Sequence, residues 1–202
     1  MVPGADVLRI VLVTTVAVVP VAIAAASPLL AGRDAVWVAG GFAGIVALSL
    51  LFVQPLLASG ALPGPQRLGW HRLVGAVAVA LAVGHVIGLY LYSPDDIMDA
   101  LLLESPTPFS VYGVAGLVLL MVVALLGGLV RAVPRPVVAR RVHSLVGLAA
   151  VVCAAWHAVL IDGAMEMISK LVLCAGAVGA AAHAVVRLYR PLLARWRRRA
   201  GT

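Results

Sequence analysis

Apolar residues run in six long blocks, at about 8–30, 36–59, 71–93, 111–133, 142–162 and 165–188, separated by short polar connectors. Each block has close to the ~20 residues that a helix needs to cross a bilayer. The blocks are continuous and lack the period-two alternation of a transmembrane β-strand. The pattern therefore predicts an all-α integral membrane bundle of six helices. Residues 1–202 form a single transmembrane domain with 189–202 as a basic tail. Ala24-Ala25-Ala26-Ser27 resembles a signal-peptide cleavage site. The preceding apolar stretch is long for a signal, and its start carries only Arg9, so it is read as the first span. Pro20 and Pro55 fall inside spans one and two, where proline is able to kink a helix. The connector from Ser93 to Ser110 contains Ile97-Met98-Asp99-Ala100-Leu101-Leu102-Leu103, which suits a short interfacial helix.

Composition sharpens this reading. The 202 residues are 63% hydrophobic and only 11% charged, with mean hydropathy +1.11. A soluble domain carries about a quarter charged residues. The net charge is +7 and comes almost wholly from arginine, Lys170 being the only lysine. A basic balance can indicate nucleic acid, but these arginines gather at the ends of the apolar blocks. Membrane orientation explains them, and no nucleic-acid partner is expected.

Positively charged loops stay in the cytoplasm. The connector between spans two and three has Arg67 and Arg72. The next basic connector, between four and five, has Arg131, Arg135, Arg140 and Arg141. The tail adds Arg187, Arg190, Arg195, Arg197, Arg198 and Arg199. By contrast the connector between spans three and four has Asp95, Asp96, Asp99 and Glu104 and no cation; that between five and six has Asp162, Glu166 and Lys170. Both termini are thus expected in the cytoplasm of a cell that keeps this chain in its plasma membrane. Spans three and five then run in the same direction.

All five histidines, His71, His85, His143, His157 and His183, lie in or at the ends of spans. Ionisable residues at membrane depth are costly and mark function. His71 and His85 are 14 residues apart, as are His143 and His157. Fourteen residues are nearly four helical turns, so each pair faces one side of its helix at a separation of ~21 Å. One metal ion cannot bridge that gap. Two sites at two depths can use it, His71 pairing with His143 near the cytoplasm and His85 with His157 near the exterior.

The stretches from His71 to His85 and from His143 to His157 align without gaps and are identical at eight of fifteen positions. On the histidine face the first carries Gly75, Ala78 and Ala82, and the second Gly147, Ala150 and Ala154, at the same offsets. Small residues also serve plain helix packing in lipid. Together with four histidines at matched depths they describe a flat slot wide enough for porphyrin. Histidine on both sides of a haem iron makes a low-spin centre suited to electron transfer. Two b-type haems are expected, with His71, His143, His85 and His157 as the iron ligands.

His183 falls near the depth of His71 and His143. It can be read as an alternative inner ligand, a propionate contact, part of a quinone site, or a histidine bridging two helices. Arg72, Arg140 and Arg141 flank the inner histidines, either as propionate partners or as positive-inside anchors. Trp70 and Trp196 read as interface anchors. Trp156 either packs on the outer haem or faces lipid. Cys153 and Cys174 lie inside apolar blocks, form no disulfide or metal pattern, and read as packing residues.

At these residues the chain resembles the ferric-reductase-like transmembrane domain family, which includes ferric reductases, NADPH oxidases and the haem-binding subunit of the bacterial methionine-sulfoxide reductase system. The resemblance lies in Trp70-His71-Arg72-Leu73-x-Gly75 leading to His85 and in Arg141-Val142-His143 leading to His157, within residues 36–188. It implies haem b on the four histidines and electron flow across the membrane. Members that oxidise NAD(P)H add a cytoplasmic flavin- and nicotinamide-binding module. Here about 14 residues follow the sixth block, and none forms a Gly-rich phosphate loop. A separate flavoprotein reductase, or a quinol, is therefore expected as electron donor.

The leading expectation is an electron conduit, an oxidoreductase subunit delivering electrons to ferric iron, oxygen or a partner protein outside. A quinol-linked cytochrome b subunit anchoring a separate oxidoreductase would share the haems and differ in donor. A haem-free transporter or scaffold, with histidines moving protons or metal ions, is the contrasting class. Many transporters show inverted repeats; the repeat here is parallel.

Overall fold

The computed structural model describes residues 3–132 and 136–199, and side chains within 4–130 and 137–190. Seven α-helices form: α1 (Pro3–Ala25), α2 (Ala35–Ser59), α3 (Arg67–Tyr92), α4 (Pro94–Leu101), α5 (Pro108–Ala132), α6 (Pro136–Leu160) and α7 (Met167–Arg199). No strand is present among the described residues. All but α4 are long and apolar enough to cross a membrane, so the chain is a multi-pass membrane protein of six spanning helices.

Local chemistry sets the helix ends. Asp34 caps α2, its carboxylate accepting from Val36 N at 2.7 Å and Trp37 N at 3.3 Å. Gly60 closes α2 at φ +75°, a left-handed C-terminal turn that glycine adopts without strain. Arg67 Nη1 then donates to Ala58 O at 2.8 Å and Leu57 O at 3.1 Å, so the first residue of α3 satisfies the last carbonyls of α2. Proline opens α1, α4, α5 and α6, a position where its missing N–H costs nothing.

Several bounds differ from the apolar blocks. α1 ends at Ala25 because Ser27-Pro28 turns the chain into a single 3₁₀ turn, Pro28–Leu30. α6 begins at Pro136, so Arg140 and Arg141 belong to its first two turns rather than to a connector. α7 continues through the segment read as a tail, as far as Arg199, since arginine is a good helix former. The side chains of Arg131, Arg135, Arg195, Arg197, Arg198, Arg199 and Trp196 lie outside the described residues. The backbone remains helical through Pro20 and Pro55, and α4 is the short helix expected between spans three and four.

The helices form two pairs, α2 with α3 and α5 with α6, joined by α7, which packs on both α2 and α6. α1 lies outside against α2 and α7, and α4 touches α3 and α5. Phe52 of α2 sits over Gly176 of α7, where an added Cβ would stand 3.2 Å from its ring. Around this crossing Leu48, Leu51, Leu173, Cys174 and Ala177 form the core. Ser49 Oγ donates to Ala17 O at 2.7 Å, joining α2 to α1. By contrast, the backbones of α3 and α6 have next to no contact. A gap between them is held open by their partners.

Candidate haem site

The four expected ligands line that gap in pairs. The His71 and His143 rings have centroids 6.3 Å apart and planes crossed at 71°. His85 and His157 also stand 6.3 Å apart, crossed at 76°. Both pairings form at once, so α3 and α6 run in the same direction.

Each imidazole is held by a backbone carbonyl of the helix beside it. On α2, Gln54 O lies 3.0 Å from His71 Nδ1 and Gly40 O lies 2.8 Å from His85 Nδ1. On α5, Val123 O lies 3.1 Å from His143 Nδ1 and Phe109 O lies 2.8 Å from His157 Nδ1. A carbonyl only accepts, so each Nδ1 carries the proton and donates it. The neutral ring then has its lone pair on Nε2, as a metal-binding histidine requires. No described group hydrogen-bonds any of the four Nε2 atoms.

At the two outer carbonyls the imidazole is admitted by glycine. A Cβ on Gly44 would stand 2.8 Å from His85 Nδ1, and one on Gly113 would stand 2.7 Å from His157 Nδ1. On Gly127 it would reach 3.5 Å from His143 Cε1. Each glycine lies four residues after an accepting carbonyl, on the same helix face. For His85, close helix approach adds to this. Gly88 of α3 faces Gly40 of α2 so tightly that a Cβ on Gly88 would come within 2.8 Å of Gly40 Cα. Sequence reasoning picked out none of Gly40, Gly44, Gly113, Gly127 or Gln54. The available signal was a glycine four positions after three of the four acceptors, with Ala58 in that place after Gln54, and it is recognisable only once the neighbouring helix is known.

The small residues divide. Ala82, Ala150 and Ala154 line a cavity of about 650 Å³ that also contains His85 and His157, a size typical of small-molecule and cofactor sites. Leu48, Leu51, Leu117 and Leu120 give it apolar walls, and Ile97 and Ala100 of α4 border it. Gly75 faces α2, and the space of its missing side chain is filled by the Gln54 amide, which donates to His71 O at 3.2 Å. Ala78 is fully buried in the core. Gly147 faces α5, with Val123 Cγ2 4.0 Å from where its Cβ would be.

The remaining candidates sit at the margins. Arg72 and Arg140 are exposed and make no ion pair among the described residues. The Arg141 guanidinium lies 5.6 Å from the Tyr189 ring centre, with a buried, unpaired Nε. His183 is exposed and bonds no other helix among the described residues. Trp70 is exposed, and Trp156 points outward against Tyr112, ring centres 6.3 Å apart. Cys174 is buried with Sγ 3.6 Å from Ala155 O, Cys153 is half-buried, and both are free thiols.

The donor set can be tested against a metal. A metal midway between two imidazole nitrogens, at ~2.0–2.1 Å from each and with roughly 1.1 Å more to each ring centre, places the centroids about 6.3 Å apart. Both pairs have that separation. Among the described residues no three His, Cys, Asp or Glu side chains converge as a metal cluster. Two imidazoles alone suit a metal whose other ligands arrive with it, as a porphyrin iron's do. The residues present fit a haem.

No family model, curated protein or solved structure matches this chain. The functional reading therefore rests on the site itself.

Proposed function

We propose that this protein holds two b-type haems, one between His71 and His143 and one between His85 and His157, and carries electrons across a cell membrane. The observation that carries this reading is the paired imidazoles: four Nδ1–H groups committed to carbonyls, four Nε2 lone pairs free, two matched ring-centroid separations of 6.3 Å. Bound haem supplies reversible one-electron chemistry at iron. The chain's part is to fix and insulate. Carbonyls of Gln54, Gly40, Val123 and Phe109 orient the ligands and make them better donors. Leu48, Leu51, Leu117 and Leu120 give the outer cavity apolar walls.

Arginine placement puts the His71/His143 pair toward the cytoplasm and the His85/His157 pair toward the exterior, with both termini cytoplasmic. The donor would be a separate flavoprotein reductase or a quinol, and the acceptor ferric iron, oxygen or an extracytoplasmic partner protein. With histidine on both sides no iron position is open, so the acceptor would be reduced without binding the metal. On this reading the chain is a ferric-reductase-like oxidoreductase subunit.

The test is an absorbance spectrum with pyridine haemochrome quantification on protein purified from haem-replete cells. Two haem b per chain with a low-spin spectrum are expected. His71→Ala and His85→Ala should each remove one haem. A colourless wild-type protein, or both variants retaining two haems, overturns the assignment.

A further inference from the structure

Lys170 stands outside the function just proposed. It lies in the first turn of α7 and is only 3% exposed. Its Nζ donates to Ile161 O at 2.8 Å and sits 3.5 Å from Val159 O. These carbonyls end α6, where the helix dipole favours a cation. They leave part of the ammonium's donor capacity unused. No carboxylate pairs with it: among the described residues Arg9–Asp6 is the one ion pair. Asp162 borders the same spaces but stays beyond pairing distance. A buried ammonium without a counter-ion is costly.

Two chambers meet at this residue. One is the 650 Å³ cavity that contains His85 and His157. The other, of about 340 Å³, is lined by Lys170 together with Arg33, Trp37, Asp162, Met165 and Met167. The Arg33 guanidinium lies 5.0 Å from the Trp37 ring centre and adds a second cation there.

We propose that Lys170 is an anion-binding residue whose ammonium takes a carboxylate presented from one of these chambers. Two sources offer that group. One is the carboxylate edge of a porphyrin in the larger chamber, which rests on the reading above. The other is a soluble carboxylate-bearing electron acceptor in the smaller one. Lys170 in either case binds the counter-ion that the fold omits.

The experiment compares full-length wild type, Lys170→Gln and Lys170→Arg in nanodiscs. Glutamine can still donate to the α6 carbonyls but removes the charge; arginine keeps both. If a porphyrin carboxylate is the ligand, Lys170→Gln should lose one haem to apomyoglobin at least tenfold faster, and Lys170→Arg should restore retention. If a soluble acceptor is the ligand, haem retention should be unchanged. The ferric citrate concentration giving half-maximal reoxidation of dithionite-reduced protein should then rise at least fivefold, at the same limiting rate. Each ferric ion reduced to ferrous takes one electron from the protein in that assay.

A wild type without haem would sink the preceding function and not this inference. Citrate alone should then raise the melting temperature of wild type and Lys170→Arg but not of Lys170→Gln. Lys170→Gln matching wild type in retention and citrate dependence, or citrate failing to shift haem-free wild type, overturns the proposal. Lys170 would then be only a cap on α6.

Discussion

His157 Nδ1 lies 2.8 Å from the carbonyl oxygen of Phe109, and Gly113, one turn further along α5, is what leaves room for the ring. A Cβ there would come within 2.7 Å of His157 Nδ1. Gly113→Ala should therefore push the imidazole off its carbonyl and misalign Nε2. Crowding of this kind costs about 1–3 kcal/mol, or roughly 5- to 150-fold weaker cofactor retention at the outer pair. Gly128→Ala is the control, because a Cβ there meets nothing within 4 Å. Haem transfer to apomyoglobin measures both. Equal retention in the two variants would show that the Phe109 carbonyl does not hold the ligand.

Within a pair, substitutions should not add. Once His85 is gone, the site opposite His157 is already broken, so His85→Ala with His157→Ala should lose no more haem than either alone. His71→Ala with His85→Ala should lose both haems, since the pairs are separate. Such non-additivity is the signature of groups acting as a unit. Pyridine haemochrome on the four variants gives the answer. Additive loss within a pair would contradict shared ligation.

The α2–α3 crossing should be intolerant of size. At Gly88 the obstacle is Gly40 backbone at 2.8 Å, which cannot rotate aside as a side chain can. Gly88→Val should part the helices and cost about 1–3 kcal/mol or more. Gly40 O is also the His85 acceptor, so the outer haem should weaken with stability. Gly84→Ala, four residues earlier and unobstructed, should leave both unchanged. Unfolding in detergent followed by absorbance reports the two effects together.

Glu166 fastens the start of α7. Its carboxylate accepts from Ile168 N and Ser169 N, both at 2.8 Å. These backbone bonds hold its carboxyl below the ordinary glutamate value. A depressed folded-state value means that the cap is fully present above the unfolded glutamate value of ~4.3 and is lost as pH falls below it. Amide exchange at Ile168 and Ser169 should quicken in Glu166→Ala at neutral pH. In wild type it should exceed its intrinsic pH trend only in the acid range. Unchanged protection in Glu166→Ala would exclude the capping role.

Much of this was legible in the sequence. Uninterrupted apolar length decides helix count, because hydrocarbon leaves each backbone N–H and C=O to be satisfied within its own segment. Six blocks became six spanning helices, and a short helix formed after Ser93, at Pro94–Leu101 rather than over 97–103. Spacing along one helix is also fixed by geometry, so the i to i+14 register of the histidines was readable without a structure. The helix bounds were less so. Arg140 and Arg141 were placed in a connector by their charge, yet Pro136 starts α6 ahead of them.

What sequence could not supply is which helix lies beside which. Twenty glycines look alike along the chain. Only the packing of α2 on α3 and of α5 on α6 separates Gly44 and Gly113, which face histidines, from Gly84 and Gly128, which meet nothing. The same packing gave Gly75 to the Gln54 amide and Ala82, Ala150 and Ala154 to the cavity. Local periodicity fixes the direction of a side chain about its own axis. The partner it meets depends on how neighbouring helices are rotated, and contacts between different helices decide that.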